Sequence, residues 1–394
     1  MTTKTVYNFP EGKLGPDFAK ENLKNFKQLI DAALSFVVVS MPGVGVSYFL
    51  KYLATQNFAR FIHVDLYNLP TLSQHEFYKL LLSELGGMPG SKTDEQMLTE
   101  IKKALNLLSQ NREKIVIIFS RFDQLKGQFD WNFLSNIQSL TTVSPGSPRS
   151  TRVEAGKIVL IFTATTPLHD IAPDALSGGN LNFYSENLYF KPYSARDLEK
   201  LLSIEPARPG LAKPTLEKLL ALSGGHNQLL HILLSSQKQH NLLLDHFVKL
   251  QLKELVDYLD YHQRKTLQKI ALGKNVNEVD EYLLGVGMVK NSSLHPPSSN
   301  FQLFTPLLTE YIKTNMQVKL PVKEAKLFKL LRANMGRTVS KDEIFNVVWQ
   351  GHSEGATDWA LDALIYRLRK HPFMKNNNYI IESQKKVGYS LIQT

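Results

Sequence analysis

Residues 320–372 read LPVKEAKLFKLLRANMGRTVSKDEIFNVVWQGHSEGATDWALDALIYRLRKHP, and the apolar spacing inside this stretch decides how the end of the chain folds. Ala325, Phe328 and Leu331, then Ile344, Val347 and Val348, recur at helical intervals, so two amphipathic helices are expected. Gly336 stands where the first should stop, and Ser340 with Glu343 three residues later forms the capping box that opens the second. A third helix starts from Thr357 as its N-cap. Its buried stripe is Ala360, Leu361, Leu364, Ile365 and Leu368, which turns Tyr366, Arg367, Arg369 and Lys370 outward or to the flanks. Beyond Pro372 a polar run, Lys375 to Asn378, leads into NYIIESQKKVGYSLIQT, two β-rich runs around Gln384, Lys385, Lys386 and Gly388. A hairpin with lysines near its tip is expected there.

Helix, helix, basic helix and basic hairpin is an order in which one helix reads the edges of bases in the major groove while the hairpin reaches a neighbouring groove or the phosphates. Over about 75 residues, in the segments LPVKEAKLFKLL, GRTVSKDEI, ALDALIYRLRK and IIESQKKVGY, the chain resembles the DNA-binding output domain of OmpR/PhoB-type response regulators. The resemblance implies double-stranded DNA as partner, with Tyr366, Arg367, Arg369 and Lys370 on the helix and Ser383, Lys385, Lys386 and Tyr389 in the wing as contacts. Leu364 stands where that family usually has histidine, Tyr366 often a basic residue and Lys385 usually arginine, so no relative's base preference carries over. Charge agrees: residues 317–394 hold 13 Lys and Arg against 7 Asp and Glu, a net of +6 out of +10 for the whole chain.

The N-terminal half carries a second signal, in altered form. SFVVVSMPGVGVSYFLKYL, residues 35–53, is a buried strand, a glycine loop and a helix, the setting a phosphate-binding loop requires. Against G-x-x-x-x-G-K-[ST], Ser40 takes the first glycine's place, Gly45 and Ser47 fit, and Val46 replaces the lysine that neutralises the β- and γ-phosphates. REKIVIIFSRFDQL should be the strand that ends in the acidic pair holding Mg²⁺, yet Ser120 and Arg121 fill those places, with Asp123 two residues on. Gly43, Gly45 and Ser47 are the residues that would take a nucleotide, ATP or ADP, and the two swaps argue against hydrolysis. GKIVLIFTAT then gives a strand reaching Thr163, and ENLYFKPYSARDLEKLL a strand, a short loop and a helix capped near Ser194.

Strands near 36–40, 61–66, 115–119, 158–163 and 187–191 alternate with helical patterns, which implies a largely parallel sheet. Order and spacing resemble the AAA+/STAND class of signalling NTPases, including its origin-recognition-like branch, and LSGGHNQLLHILL resembles the motif opening a helix of their lid. His226 in that segment reads as a capping or packing histidine ahead of a phosphate sensor. Residues 246–315 give helices, a Gly-Val-Gly turn and two short strands around Pro296 and Pro297, resembling the winged helix that follows the lid in STAND proteins. Arg264, Lys265 and Lys269 share a helical stretch with Asp257 and Asp260, which favours a packing module. The Pro/Ser/Arg-rich stretch 141–156, with Arg149 and Arg152, reads as a long solvated loop.

Composition removes other chemistries. The chain has no cysteine, which excludes disulfides and thiolate catalysis, and its 11 histidines show no metal-binding spacing. MTTKTVYNFPEGKLG lacks the apolar core of a signal peptide and no apolar run reaches a membrane span's ~18 residues, so a cytoplasmic protein is expected. The fold expected is multidomain α/β plus α+β: a P-loop NTPase-like core with a parallel sheet over residues 1–192, a helical lid over 193–245, a packing winged helix over 246–316 and the DNA-binding winged helix over 317–394. The function expected is a sequence-specific transcriptional regulator whose first module senses or self-associates as a homo-oligomer; the alternative is an ATP-dependent DNA-binding switch or initiator-like ATPase. Neither a catalytic residue nor a metal ligand is assigned.

Overall fold

The computed structural model describes residues 9–110, 113–142, 158–176, 186–205, 212–236, 242–291, 301–315, 321–349, 357–371, 373–374, 379–384 and 387–393. Lys375 to Asn378, Lys385, Lys386, the Pro296–Pro297 loop and residues 143–156 of the Arg149/Arg152 stretch lie outside them. The chain divides into two compact units, Met1–Thr309 and Glu310–Thr394.

The first unit is built on five strands: β1 (Phe36–Ser40), β2 (Arg60–Asp65), β3 (Ile115–Ser120), β4 (Ile158–Ala164) and β5 (Asn187–Phe190). They lie in the order β2-β3-β4-β1-β5, and every pairing is parallel. Every residue of β1, β3 and β4 is buried, as expected of a parallel sheet covered on both faces, and this explains why these segments read as unbroken apolar runs and not as alternating ones. Helices such as Val46–Ala54, Gln74–Glu84 and Asp94–Ser109 connect the strands. This is the P-loop NTPase arrangement, and its functional edge is the carboxyl end of β1, β3 and β4, beside the point where the strand order reverses.

After β5 the chain is helical, with Ala195–Ser203, Lys213–Ser223 and Asn227–Ser236 leading to His246–Asp257, Tyr261–Ala271 and Glu281–Gly285. Two short antiparallel strands follow, β6 (Val289–Asn291) and β7 (Phe301–Leu303), and then the helix Pro306–Asn315.

In the second unit the helices Val322–Ala333, Lys341–Trp349 and Asp358–Lys370 pack with a small antiparallel sheet. Its strands are β8 (Val339–Ser340), β9 (Tyr379–Gln384) and β10 (Gly388–Gln393), in the order β8-β10-β9. Leu327, Leu331, Ile344, Leu361, Leu368 and Leu391 are fully buried at its centre. The capping box forms: the Glu343 amide donates to Ser340 Oγ at 3.2 Å and the Ser340 amide to Glu343 Oε2 at 3.1 Å. Thr357 caps the third helix by accepting from the Ala360 amide at 3.1 Å. Gly336 does not occupy the position expected of it. The first helix closes two residues earlier on Asn334, whose Nδ2 donates to Leu330 O at 2.9 Å. Gly336, at φ +79°, donates its amide to Leu391 O, so it links the helix end to the sheet instead.

Candidate functional site

A cleft of about 850 Å³ opens at the carboxyl edge of the parallel sheet. Its floor is the loop Met41 to Gly45, which turns β1 into the helix Val46–Ala54. Gly43 at φ +74° and Gly45 at φ +108° give the loop a left-handed path that only glycine follows without strain. Side chains also approach too closely for a Cβ: Gln228 lies on Gly43, and Tyr193 and Asn227 lie on Gly45.

Four consecutive carbonyls of this loop accept hydrogen bonds from residues far along the chain. His226 Nε2 donates to Pro42 O at 2.8 Å, the Gln228 amide to Gly43 O at 3.0 Å, the Asn227 amide to Val44 O at 3.3 Å and Tyr193 Oη to Gly45 O at 2.8 Å. His226 also accepts from the Leu229 amide through Nδ1 at 3.1 Å, so its partners fix the neutral tautomer with hydrogen on Nε2. It is fully buried, and that burial pushes its pKa down to about 4. His226 is thus the cap of its helix and a tie to the loop. Burial raises the Tyr193 hydroxyl well above its ordinary range, which keeps it a donor.

The loop's amides face the other way from its carbonyls. Among the described residues no acceptor takes the amides of Gly43, Gly45, Val46 or Ser47, so a helix start with free N–H groups borders the cleft. Ser47 lines it in the place that suits a metal-bound hydroxyl, while Val46 puts an apolar side chain where a lysine would stand.

Opposite, the end of β3 carries Ser120 and then Arg121 where an acidic pair would stand. His63 Nε2 lies 2.8 Å from Ser120 Oγ, which seals that hydroxyl inside. Arg121 is left-handed at φ +61°; its amide donates to Thr163 Oγ1 at 2.7 Å and its Nη1 to Asp65 Oδ1 at 3.0 Å. Its guanidinium also lies 4.9 Å from the centre of the Tyr67 ring. Asp123 Oδ2 accepts from both the amide and the hydroxyl of Thr165, each at 2.8 Å, which ties this carboxylate to the end of β4. Mg²⁺ does not fit this donor set, and among the described residues no three His, Asp or Glu side chains gather to hold a metal. The sequence reading missed three participants: Asp65, Tyr193 and Asn227. Their positions depend on contacts across 56, 148 and more residues, for which local spacing gives no signal.

The outward face of the helix Asp358–Lys370 carries exposed Trp359, Asp362, Tyr366, Arg367, Arg369 and Lys370. Lys370 Nζ lies 4.7 Å from the centre of the Tyr366 ring, and among the described residues neither side chain has a hydrogen-bond partner. Arg367 and Arg369 have partners inside the unit. Arg367 Nε donates to Glu324 Oε1 at 2.9 Å, a carboxylate 6% exposed, from a guanidinium that remains largely in solvent. Arg369 donates through Nε to Ile381 O at 3.0 Å and through Nη2 to Ser383 Oγ at 2.6 Å, which fastens the wing strand β9 to the helix. Tyr389 is buried and its Oη donates to Asp362 Oδ1 at 2.7 Å. Ser383 is exposed, and Lys385 and Lys386 fall outside the described residues.

Residues 315–391 match the family described as transcriptional regulatory protein, C terminal. The second unit is therefore a transcriptional-regulator winged helix. No curated protein matches the chain. Among solved structures, a Walker-type ATPase of Pyrococcus abyssi is similar at 12% identity, covering 76% of this chain and 96% of that one, with a TM-score of 0.48. The ORC2 protein of Aeropyrum pernix is similar at 10% identity over 95% of this chain and 88% of its own, with a TM-score of 0.40. Cdc6p of Pyrobaculum aerophilum is similar at 12% identity over 96% and 92%, with a TM-score of 0.39. Among the described residues no helix is long and apolar enough to cross a membrane.

Proposed function

We propose that the protein is a sequence-specific, DNA-binding transcriptional regulator whose P-loop NTPase-like module controls presentation of the winged helix without hydrolysing nucleotide. The observation that carries this reading is the family match over residues 315–391, on a domain whose third helix exposes Tyr366 and Lys370. That helix would enter the major groove while the wing, with Ser383, Lys385 and Lys386, follows the backbone. Tyr366 and Lys370 are the contacts free to read the duplex; Arg367 and Arg369 would reach phosphate only through the nitrogens not spent on Glu324, Ile381 and Ser383. Val46, Ser120 and Arg121 support catalytic inactivity, because they stand in place of the phosphate lysine and the metal-holding acid, whose charges dominate phosphoryl transfer. Association of one copy's NTPase-like module with another would set the spacing of paired winged helices on DNA.

Two measurements on the full chain test it. Mapping of bound DNA across the genome, followed by a salt titration on the recovered site, should give a salt-dependent affinity that Tyr366→Ala lowers by about 1–3 kcal/mol if it contacts a base. Lys370→Ala should reduce the salt slope by about 1 if it contacts phosphate. Absence of salt-dependent binding removes the regulator reading. A steady-state assay with Mg²⁺-ATP should show no turnover; a rate in the range of about 1–100 s⁻¹ would replace the non-hydrolysing module with a working ATPase and leave the DNA-binding half standing.

A further inference from the structure

The cleft has lost its metal-holding carboxylate and its loop lysine, yet it has kept cations and free amides, and this combination suits a particular ligand. We infer that it holds the diphosphate of a nucleotide without a divalent cation, with the Arg121 guanidinium supplying the positive charge at the place where other P-loop proteins hold metal. The inference rests on the reading of the first module as one that does not hydrolyse nucleotide.

Four amides, those of Gly43, Gly45, Val46 and Ser47, have no acceptor among the described residues, and together with the helix start they favour an anion. They are pre-shaped for it, because the carbonyls behind them are held by His226, Asn227, Gln228 and Tyr193. The lysine missing at Val46 has counterparts on the walls, where Lys51, Arg121 and Lys126 line the same cleft. Lys51 is paired with Glu11 at 3.9 Å and Arg121 with Asp65 at 3.0 Å, and Asp123 and Glu254 add carboxylates to the lining, so the pull on an anion comes from the loop amides and from the guanidinium nitrogens that Asp65 leaves over. Arg121 gives Nη1 to Asp65 and keeps the rest of its fork, a geometry matched to phosphate oxygens.

An independent observation points to a nucleotide and away from a bare anion. Asn227 lines the cleft at 3% exposure, and its Oδ1 is buried without a hydrogen-bond partner. An unsatisfied buried acceptor calls for a donor, which a ribose hydroxyl or a base amine provides and a phosphate at neutral pH does not.

Calorimetric titration of the full chain with ADP, in EDTA and in Mg²⁺, tests the inference. Binding in EDTA should match that in Mg²⁺ within about threefold, and pyrophosphate should bind at least about tenfold more weakly than ADP. Arg121→Glu places a second carboxylate beside Asp65; it should weaken ADP about tenfold or more in EDTA and recover with Mg²⁺. Should Arg121→Glu fail to fold, Val46→Lys on the cleft wall decides, with ADP in EDTA expected to tighten about tenfold. No ADP binding by the wild type, binding that needs Mg²⁺, pyrophosphate as tight as ADP, Arg121→Glu unchanged in EDTA, or Val46→Lys without effect would each overturn it. DNA affinity and ATP turnover measured on the same preparations separate its failure from that of the regulator reading.

Discussion

Arg369 serves the architecture of the winged helix before it serves any ligand, since two of its nitrogens hold β9 through Ile381 O and Ser383 Oγ. Arg367 does the same for Glu324, whose carboxylate is almost wholly out of solvent. Arg367→Ala strands that carboxylate and should destabilise the unit by about 1–3 kcal/mol in urea unfolding, whereas Lys370→Ala should leave stability unchanged. Sequence spacing places all four side chains on the outward side of the helix, and all four are exposed there. It does not distinguish the two that are bonded, because Glu324 and Ser383 come from elements whose approach is set by the packed core. His226 allows a prediction in pH. Above its ordinary pKa of 6.5 the neutral ring is what both states prefer; below it the unfolded chain takes up a proton that the buried ring refuses down to about pH 4. Stability of the first unit should therefore fall as pH drops from 6.5 to 4, by on the order of 3 kcal/mol, and level off below. Thermal melting from pH 7 to pH 4 checks this, with a flatter profile expected for His226→Gln.

Among the elements, β10 depends on a close approach that a single residue permits. Gly388 pairs with Ser340 on one side and Gln384 on the other, and a Cβ on it would run into Val339 O. Gly388→Ala must push β8 away and should cost about 1–3 kcal/mol, as overpacking does, read from denaturant unfolding by Trp349 fluorescence. An unchanged midpoint would mean that β8 yields freely. Helix ends and strands were legible where the signal is local. The capping box at Ser340, the Thr357 cap and the five apolar runs of the parallel sheet all formed within a residue or two of the expected bounds. Gly336 was misplaced because a glycine two residues past a helix looks in sequence like one at its end, while Asn334 closed the helix with its own side chain. The cleft was legible as a loop with the wrong residues in it, but not as a loop held from behind.

At the scale of the whole molecule, the second unit has its own apolar core of three helices and three strands. A fragment of residues 310–394 should fold cooperatively and keep salt-dependent DNA binding; dispersed amide signals in NMR check the first and a salt titration the second. An unfolded fragment would mean that this core is insufficient without the preceding residues. The other unit has a different relation to its own length. The carbonyls of Pro42, Gly43, Val44 and Gly45 find their distant donors at Tyr193 and at His226 to Gln228. A ribosome delivers those donors last, some 150 to 185 residues after the loop has emerged. A nascent chain stopped before Tyr193 has all five strands and the glycine turn with its local bonds, but not yet the distant donors that hold the turn's carbonyls. Any ligand of the cleft would therefore find no finished seat until synthesis has passed residue 228, and chains arrested on either side of that point should differ abruptly in the protection of the loop from proteolysis.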